Sequence, residues 1–294
     1  YMKDTNVDQK PKLSIVNPTL NEANYITGLM EAVIQQTYTS CEIIVADAGS
    51  TDATVDIVKQ YGAKVVKGGL PAVGRNAGAS VATGDLILFL DADVLPPPHF
   101  IENIVSEFEK KKLDVGTCLV QAISDRVLDH ALHNITNLYL ISTQRFVPHA
   151  PGFVILIKRD LHSTIHGFDT TLALAEDQDY VYRAAQKGRF RVLRHVQLPV
   201  SVRRLDFEGI IPLVTKYLWV EAHIMTGQKV HSIPFQYQFG KHGQTGIYPK
   251  FFQNTSQSIL AQVKERIPSN LLRDNRLVDL LPMKSNTEEE QETA

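Results

Sequence analysis

Short β-branched runs alternate with stretches of helical periodicity through the first half of the chain. Leu13-Ser14-Ile15-Val16 reads as a strand, followed by a helix with Ile26, Leu29, Met30, Val33 and Ile34 on one face. Glu42-Ile43-Ile44-Val45 repeats the pattern and leads to a helix carrying Val55, Val58 and Tyr61. Ala63 to Lys67 predicts a third strand, and Val73 to Ala82 a helix. Leu86-Ile87-Leu88-Phe89-Leu90 is apolar throughout, as a strand buried on both faces must be. Pro98 to Lys111 is a helix that packs Ile101, Ile104, Val105 and Phe108. Strands alternating with helices at this spacing imply an α/β fold, a mostly parallel sheet covered by helices on both faces.

The second half is less regular. After a strand at Val115 to Ile123, Arg126 to Gln144 is helical, and its wide apolar face (Val127, Leu128, Ala131, Leu132, Ile135, Leu138, Tyr139) is expected to pack on the core. Val154 to Lys158 and Arg191 to Leu193 read as strands on either side of a helix from Glu176 to Lys187. Gly209 to Thr226 predicts a long apolar helix. Its Lys216 and Glu221 favour packing on the Arg126 to Gln144 helix, or a homodimer contact, over peripheral membrane association. Periodicity weakens from His231. The organisation expected is a disordered N-terminus at 1–11, with Tyr1 before Met2 as a cloning residue, and a nucleotide-sugar-binding half at 12–125. A catalytic and acceptor half of the same domain at 126–230 follows, then a helical appendage at 231–285 and a disordered acidic tail at 286–294.

Composition narrows the function classes. Lys plus Arg (30) nearly balances Asp plus Glu (32), so no basic field exists to recruit nucleic acid. Cys41 and Cys118 stand at the edges of apolar runs, which suits reduced thiols more than a disulfide scaffold. No apolar run is long enough to span a bilayer. The setting expected is the cytoplasm, free or at the inner face of the membrane.

In open sheets of this kind ligands bind beyond the carboxyl ends of the strands, and the polar residues gather there. Pro18 to Glu22 follows the first strand, Asp47 to Asp52 the second, and Asp91 to Asp93 the fourth. Asp91-Ala92-Asp93 offers two carboxylates one residue apart, suited to Mg2+ or Mn2+ shared with a diphosphate. Alone, the same pair reads more readily as a turn cap at Asp91 before Pro96-Pro97-Pro98 with Asp93 solvated.

Four ordered blocks carry more weight than one. Leu13 to Glu22 (LSIVNPTLNE), Ile44 to Thr54 (IVADAGSTDAT), Gly74 to Gly78 (GRNAG) and Gly84 to Asp93 (GDLILFLDAD) resemble those of family 2 glycosyltransferases, over roughly Lys12 to Arg204. The resemblance implies the A-type glycosyltransferase fold and a nucleoside-diphosphate sugar, UDP favoured, as donor. By it, Pro18, Glu22, Asp47 and Ser50 belong to the nucleotide-binding set, with Asp47 accepting from the base. Arg75 lies near the nucleotide or its phosphates, Asp91 near ribose and metal, and Asp93 on the metal. Ala175-Glu176-Asp177-Gln178-Asp179, after Gly167-Phe168-Asp169, resembles the family's Glu-Asp signature, which makes Asp177, beside Glu176, the general base. Each assignment has a plainer alternative. Glu22 and the Glu176 to Asp179 acids complement helix dipoles, and Asp52 is a helix cap.

Two departures from the family pattern stand out. Where many relatives carry a metal-ligating histidine, this chain has Ser201-Val202-Arg203-Arg204. Arg203 or Arg204 is expected to supply fixed charge to a diphosphate or an anionic acceptor, the alternative being a surface pair. Asn17 replaces an apolar residue before Pro18. His130 and His133 share a helix face without a third metal ligand at suitable spacing and read as solvated; His195, His231 and His242 are not ranked. The reaction implied is metal-dependent inverting transfer to a hydroxyl of a glycan, lipid-linked acceptor or small metabolite. A nucleotidyltransferase, which would need a phosphate loop after the first strand, and a noncatalytic nucleotide-sugar-binding protein are the alternatives.

Overall fold

The computed structural model describes residues 11–226 and 229–235. The N-terminal residues 1–10, the acidic tail, His242 and nearly all of the expected C-terminal appendage lie outside them.

Seven strands form one sheet in the order β3-β2-β1-β4-β6-β5-β7. They are β1 (Leu13–Thr19), β2 (Cys41–Asp47), β3 (Lys64–Lys67), β4 (Leu86–Leu90), β5 (Val115–Ile123), β6 (Val154–Lys158) and β7 (Phe190–Ser201). Nine helices accompany them among the described residues: α1 (Ala23–Ile34), α2 (Thr54–Gln60), α3 (Pro71–Ser80), α4 (Phe100–Lys110), α5 (Val127–Thr143), α6 (Arg159–Thr164), α7 (Glu176–Lys187), α8 (Arg203–Glu208) and α9 (Ile210–Met225). β1, β2, β3 and β4 run parallel, and β6 enters antiparallel between β4 and β5.

Side-chain alternation divides this sheet between two cores. In β4, Leu86, Leu88 and Leu90 pack with Ile26, Leu29 and Met30 of α1 and Ile101, Ile104 and Phe108 of α4. Ile87 and Phe89 face the other way, toward Ala72 and Ala79 of α3 and Tyr180 and Val181 of α7. A strand covered on both sides has no polar position, which is why β4 reads as an unbroken apolar run. Helix α3 lies against β1 because Gly78 has no side chain: a Cβ there would fall 2.4 Å from Val16 Cγ1. The chain order reverses direction between β1 and β4, the point at which open sheets of this kind form a ligand crevice outside the carboxyl ends of the strands, here β1, β2 and β4.

Three expectations are corrected. The apolar face assigned to α5 is exposed: Val127, Leu128, Ile135 and Leu138 keep 54 to 83% of their surface, and Leu140 is buried instead. The helix is docked through a polar residue. β6 pairs with β5 only at Val115 and Gly116, so the Val120 peptide beyond has no strand partner on that side. Asn137 supplies one, accepting from Val120 N and donating to Val120 O at 2.8 Å each. In α9, Leu213 and Val220 are buried while Ile211 and Leu218 are exposed, and its link to α5 is a hydrogen bond, Tyr139 Oη to Glu221 at 2.7 Å. Finally, β7 continues to Ser201 past a register shift opposite Cys118 and Leu119, where the Glu107 carboxylate accepts from Arg194 N and His195 N at 3.2 Å. The polar Arg194-His195 pair breaks the alternation that sequence reading follows. The short helices α6 and α8 carry too few turns to show a period.

The two cysteines are unpaired thiols, and burial pushes that of Cys118 well up. His130 and His133 bond to Ser124 O and Asp129 O, in keeping with a structural role. No described helix is long and apolar enough to cross a membrane.

Replacing Asn137 with Ala leaves a buried peptide donor and acceptor unsatisfied. Equilibrium urea unfolding is predicted to show a loss of about 1–3 kcal/mol. A loss within error would mean that α5 is held by other contacts.

Candidate active site

The crevice begins at the last residue of β4. β1 and β4 pair as far as Val16 and Phe89; beyond that point Asn17 Nδ2 donates to Leu90 O at 2.7 Å. The departure at Asn17 thus has a physical account. Its amide extends the ladder by one rung and fixes the peptide that launches Asp91.

Helix α3 aims Arg75 at this turn. Its side chain is 4% exposed and joins two elements far apart in sequence: Nη2 to Asp91 Oδ1 at 3.2 Å and Nη1 to Glu176 Oε1 at 2.8 Å. Burial opposes the Arg75 charge, but Asp91, Glu176 and Asp177 outweigh it and raise its pKa. Arg75 is therefore a buried strut between the β4 end and the start of α7 rather than a side chain extended into solvent. The neighbouring Asn76 brackets Phe168, accepting from its N–H at 2.8 Å and donating to its C=O at 2.9 Å. These bonds tie the Gly74-to-Gly78 block to the Gly167-Phe168-Asp169 loop that precedes α7.

Asp177 sits beside this strut. Burial, then the charge of Glu176, pushes its carboxyl up to about 7, while Arg75 pulls the other way. It retains some accessible surface although protein encloses it closely. Gly152 makes the enclosure possible: a Cβ at this residue would lie 2.8 Å from Arg75 Nη2 and 2.9 Å from Asp177 Oδ2. The Gly152 N–H also donates to Asp177, fixing the carboxylate from the side opposite its own helix.

Arg203 occupies the other side of the turn. The end of β7 runs antiparallel to the segment after Asp93, with Ser201 N donating to Asp93 O at 3.0 Å and Leu95 N to Pro199 O at 2.9 Å. This pairing delivers the first residue of α8 to Asp93. Arg203 Nε lies 2.8 Å from Asp93 Oδ2, and its Nη1 and Nη2 grip Glu22 at 2.6 and 2.9 Å. The guanidinium also lies over the Tyr25 ring, 4.4 Å from its centroid. Burial raises the pKa of both Glu22 and Asp93, with Arg203 opposing the shift. Arg204 turns to Glu208 at 3.1 Å, a carboxylate that Lys216 also holds.

At the ends of β1 and β2 the predicted nucleotide residues are knit into their own loop. Asp47 Oδ2 accepts from Gly49 N and Ser50 N at 2.9 Å, and Oδ1 from Ser50 Oγ at 2.5 Å. Ser50 Oγ in turn accepts from Asn21 N at 2.8 Å, and Asp52 accepts from Ala23 N at the start of α1. Asp52 is thus a cap, as its plainer reading has it, for two helices, since it also accepts from Thr54 N at 3.0 Å at the start of α2. Pro18 packs beside Gly74, whose Cβ would stand 3.1 Å from Pro18 Cβ.

A divalent cation needs oxygen ligands with lone pairs to give. Both carboxylates of the Asp91 to Asp93 turn are engaged by guanidinium groups. Among the described residues no group of three or more His, Cys, Asp or Glu side chains is arranged to hold a metal. In this arrangement the residues do not fit Mg2+ or Mn2+.

Glu22, Asp91, Asp93, Glu176, Arg75 and Arg203 are thus joined in two ion-pair groups that meet at the end of β4, with Asp177 beside the first, Asp47, Ser50 and Pro18 in the adjoining loops and Arg204 one residue beyond. Sequence reading missed Tyr25, Gly152 and Asn76. Tyr25 counts as one more apolar helix position, and a lone glycine in Ala150-Pro151-Gly152 signals only a turn. Asn76 was visible inside the Gly74-to-Gly78 block, but its partner is not.

This crevice on a mostly parallel sheet is the A-type glycosyltransferase arrangement. The structure overlays on Staphylococcus aureus TarS 1-349 in complex with UDP-GlcNAc (TM-score 0.55, 23% identity, 65% of this chain and 58% of that one). It also overlays on the mannosyltransferase PcManGT from Pyrobaculum calidifontis in complex with GDP-Man and Mn2+ (TM-score 0.56, 18% identity, 93% and 81%). The profile of glycosyl transferase family 2 matches residues 14–166, more than half of the sequence, and the chain belongs to that family. It is 36% identical over 114 residues to the uncharacterized glycosyltransferase YibD of Escherichia coli, covering 36% of this chain and 33% of that protein. It is 28% identical over 211 residues to the hyaluronan synthase of Pasteurella multocida, covering 66% and 21%. The matched stretch is therefore about a third or less of these relatives' own length.

Truncating Arg75 to Ala strands two carboxylates that depend on it. The predicted loss in equilibrium urea unfolding is about 3–5 kcal/mol, as expected when one partner of a buried ion pair is removed. A loss below about 1 kcal/mol would show that Asp91 and Glu176 are solvated without it.

Proposed function

We propose that this chain transfers a sugar from a nucleoside-diphosphate sugar to a hydroxyl group, with inversion at the anomeric carbon and Asp177 as general base. The observation that carries this reading is the strut at Arg75. It brings the β4 end, where a donor's diphosphate would lie in this fold, next to a carboxylate whose pKa stands at about 7. A base works best with a pKa near the working pH, because a substantial fraction is then ionised and still takes a proton readily.

In the proposed reaction Asp177 accepts the proton of the acceptor hydroxyl as its oxygen forms the new bond to the anomeric carbon. The bond from that carbon to the diphosphate oxygen breaks in the same displacement. The nucleoside diphosphate leaves with its electron pair, and the configuration inverts. Glu176, held by Arg75, keeps α7 in register and adds negative charge that sustains the basicity of Asp177. Pro18, Glu22, Asp47 and Ser50 line the approach to the base and ribose. Arg203 and Arg204 supply positive charge on the leaving-group side.

Family membership supports the reaction class, and the neighbours support the donor class. TarS was solved with UDP-GlcNAc, and glucosyl-3-phosphoglycerate synthase from Mycobacterium tuberculosis (TM-score 0.52, 17% identity, covering 77% of this chain and 84% of that one) with UDP and Mn2+. UDP is the favoured nucleotide on that ground. The expectation that Asp91 and Asp93 hold Mg2+ or Mn2+ has the least support from the geometry, since an incoming ion must first displace Arg203 from Asp93.

The test is release of nucleoside diphosphate from a panel of UDP-, GDP- and dTDP-sugars, with water or simple glycosides as acceptors. One donor is predicted to be consumed, and Asp177→Asn to lower turnover at least about 100-fold with the fold intact. Because only ionised Asp177 accepts a proton, activity should fall about tenfold per pH unit below about 7 and level off above it. Unchanged turnover in Asp177→Asn, or no consumption of any donor, would remove the basis of the reading.

A further inference from the structure

We propose that Arg203 takes the place of a divalent metal at the Asp91 to Asp93 turn, so that the crevice binds a nucleoside diphosphate without Mn2+ or Mg2+. The nucleotide part of this inference rests on the function proposed above. The part concerning Arg203 stands on geometry alone.

Arg203 is fixed from three directions. Its Nε is 2.8 Å from Asp93, its two terminal nitrogens meet both oxygens of Glu22, and its face covers Tyr25. Each of these three side chains is largely buried, Arg203 and Glu22 at 12% exposed and Asp93 at 14%. The backbone holds the arrangement as well, because β7 pairs with the Asp93 to Leu95 segment up to the residue where α8 begins. Swinging Arg203 away would leave two buried carboxylates without a countercharge, a costly state. A metal would therefore have to compete with a tethered cation that is already in place.

The donor count agrees. A guanidinium carries five N–H groups, and three serve Asp93 and Glu22. The two that remain, one on each terminal nitrogen, lie on opposite edges of the guanidinium plane, and either can donate a charge-assisted hydrogen bond to a phosphate oxygen. Asp91, the other member of the turn, is paired through Oδ1 with Arg75, which Glu176 shares. Guanidinium charge is thus already present at both carboxylates through which a metal would be held, and neither turn carboxylate is left unpaired to recruit one.

The experiment uses the full chain and three variants, Arg203→Ala, Arg203→His and Arg203→Lys. Mn2+ alone is titrated and followed by the electron paramagnetic resonance signal of the free ion and by the melting temperature. UDP, GDP and dTDP are then titrated calorimetrically in EDTA and in Mn2+. The wild-type protein and Arg203→Lys should leave the Mn2+ signal unchanged, and the wild type should bind one nucleotide within about threefold of the same Kd in both buffers. Arg203→Ala and Arg203→His free Glu22 and Asp93. They should take up Mn2+, show a melting temperature that rises with Mn2+, and bind nucleotide at least about tenfold more tightly with the metal than without.

Wild-type protein that takes up Mn2+ stoichiometrically, or binds nucleotide only with it, would overturn the proposal while leaving the donor reading intact. Variants that gain no Mn2+ affinity would also overturn it. Should no nucleotide bind in either buffer, the donor reading and the metal-free binding claim fall together, and the Mn2+ titration still decides whether Arg203 fills the cation's position. The melting temperatures without metal identify a variant that has not folded, in which case Arg203→Lys against wild type, together with the wild-type titrations, decides the matter.

Discussion

Negative charge crowded at the end of a buried strand is the condition around which this crevice is built. Glu22, Asp91, Asp93, Glu176 and Asp177 come from three separate stretches of chain, and burial penalises the ionised forms of Glu22, Asp93 and Asp177. Two guanidinium groups make the arrangement tolerable. Arg75 joins Asp91 to Glu176, and Arg203 joins Asp93 to Glu22. Asp177 touches neither arginine through a salt bridge, and burial pushes its pKa up to about 7. Four of the carboxylates are thus held in ion pairs, and the fifth is left outside them.

The fold supplies these groups by ordinary means. Parallel pairing of β1, β2 and β4 puts their carboxyl ends at one edge, and the reversal of order between β1 and β4 falls where open sheets of this kind form a ligand crevice. Glycines at the closest approaches, Gly78 against Val16 and Gly152 against Asp177, let α3 and the segment before β6 come within reach. Long-range pairing then delivers what no local segment contains, with α8 carried to the turn by the end of β7. Glu22 and Arg203 are 181 positions apart in sequence and bonded at 2.6 Å.

What could be read from sequence follows from these distances. The strands β1 to β6 declare themselves because each is a short run set by local burial, and β4 most plainly because both of its faces are covered. Asp91, Asp93 and Asp177 are visible because strand ends and helix starts are where the chemistry of this fold collects. The partner of Arg203 is not visible, because a guanidinium reveals its carboxylate only after the sheet is assembled. The face of α5 misleads for a related reason. Its apolar positions suggest a core contact, yet the helix is docked by Asn137 on the unpaired peptide of Val120, a demand created by the short overlap of β5 with β6. Arg194-His195 conceals the continuation of β7 in the same way, since Glu107 satisfies its backbone from another helix.

The central claim is that the donor nucleotide lies across the carboxyl ends of β1, β2 and β4, and hydrogen-deuterium exchange with saturating UDP or GDP tests it most directly. The account predicts slowed exchange in residues 17–23, 47–52 and 91–95. It predicts no change around Arg159, His162 and His166, which line a separate concavity containing none of the site carboxylates. Protection confined to that concavity, or no protection with either nucleotide, would contradict it.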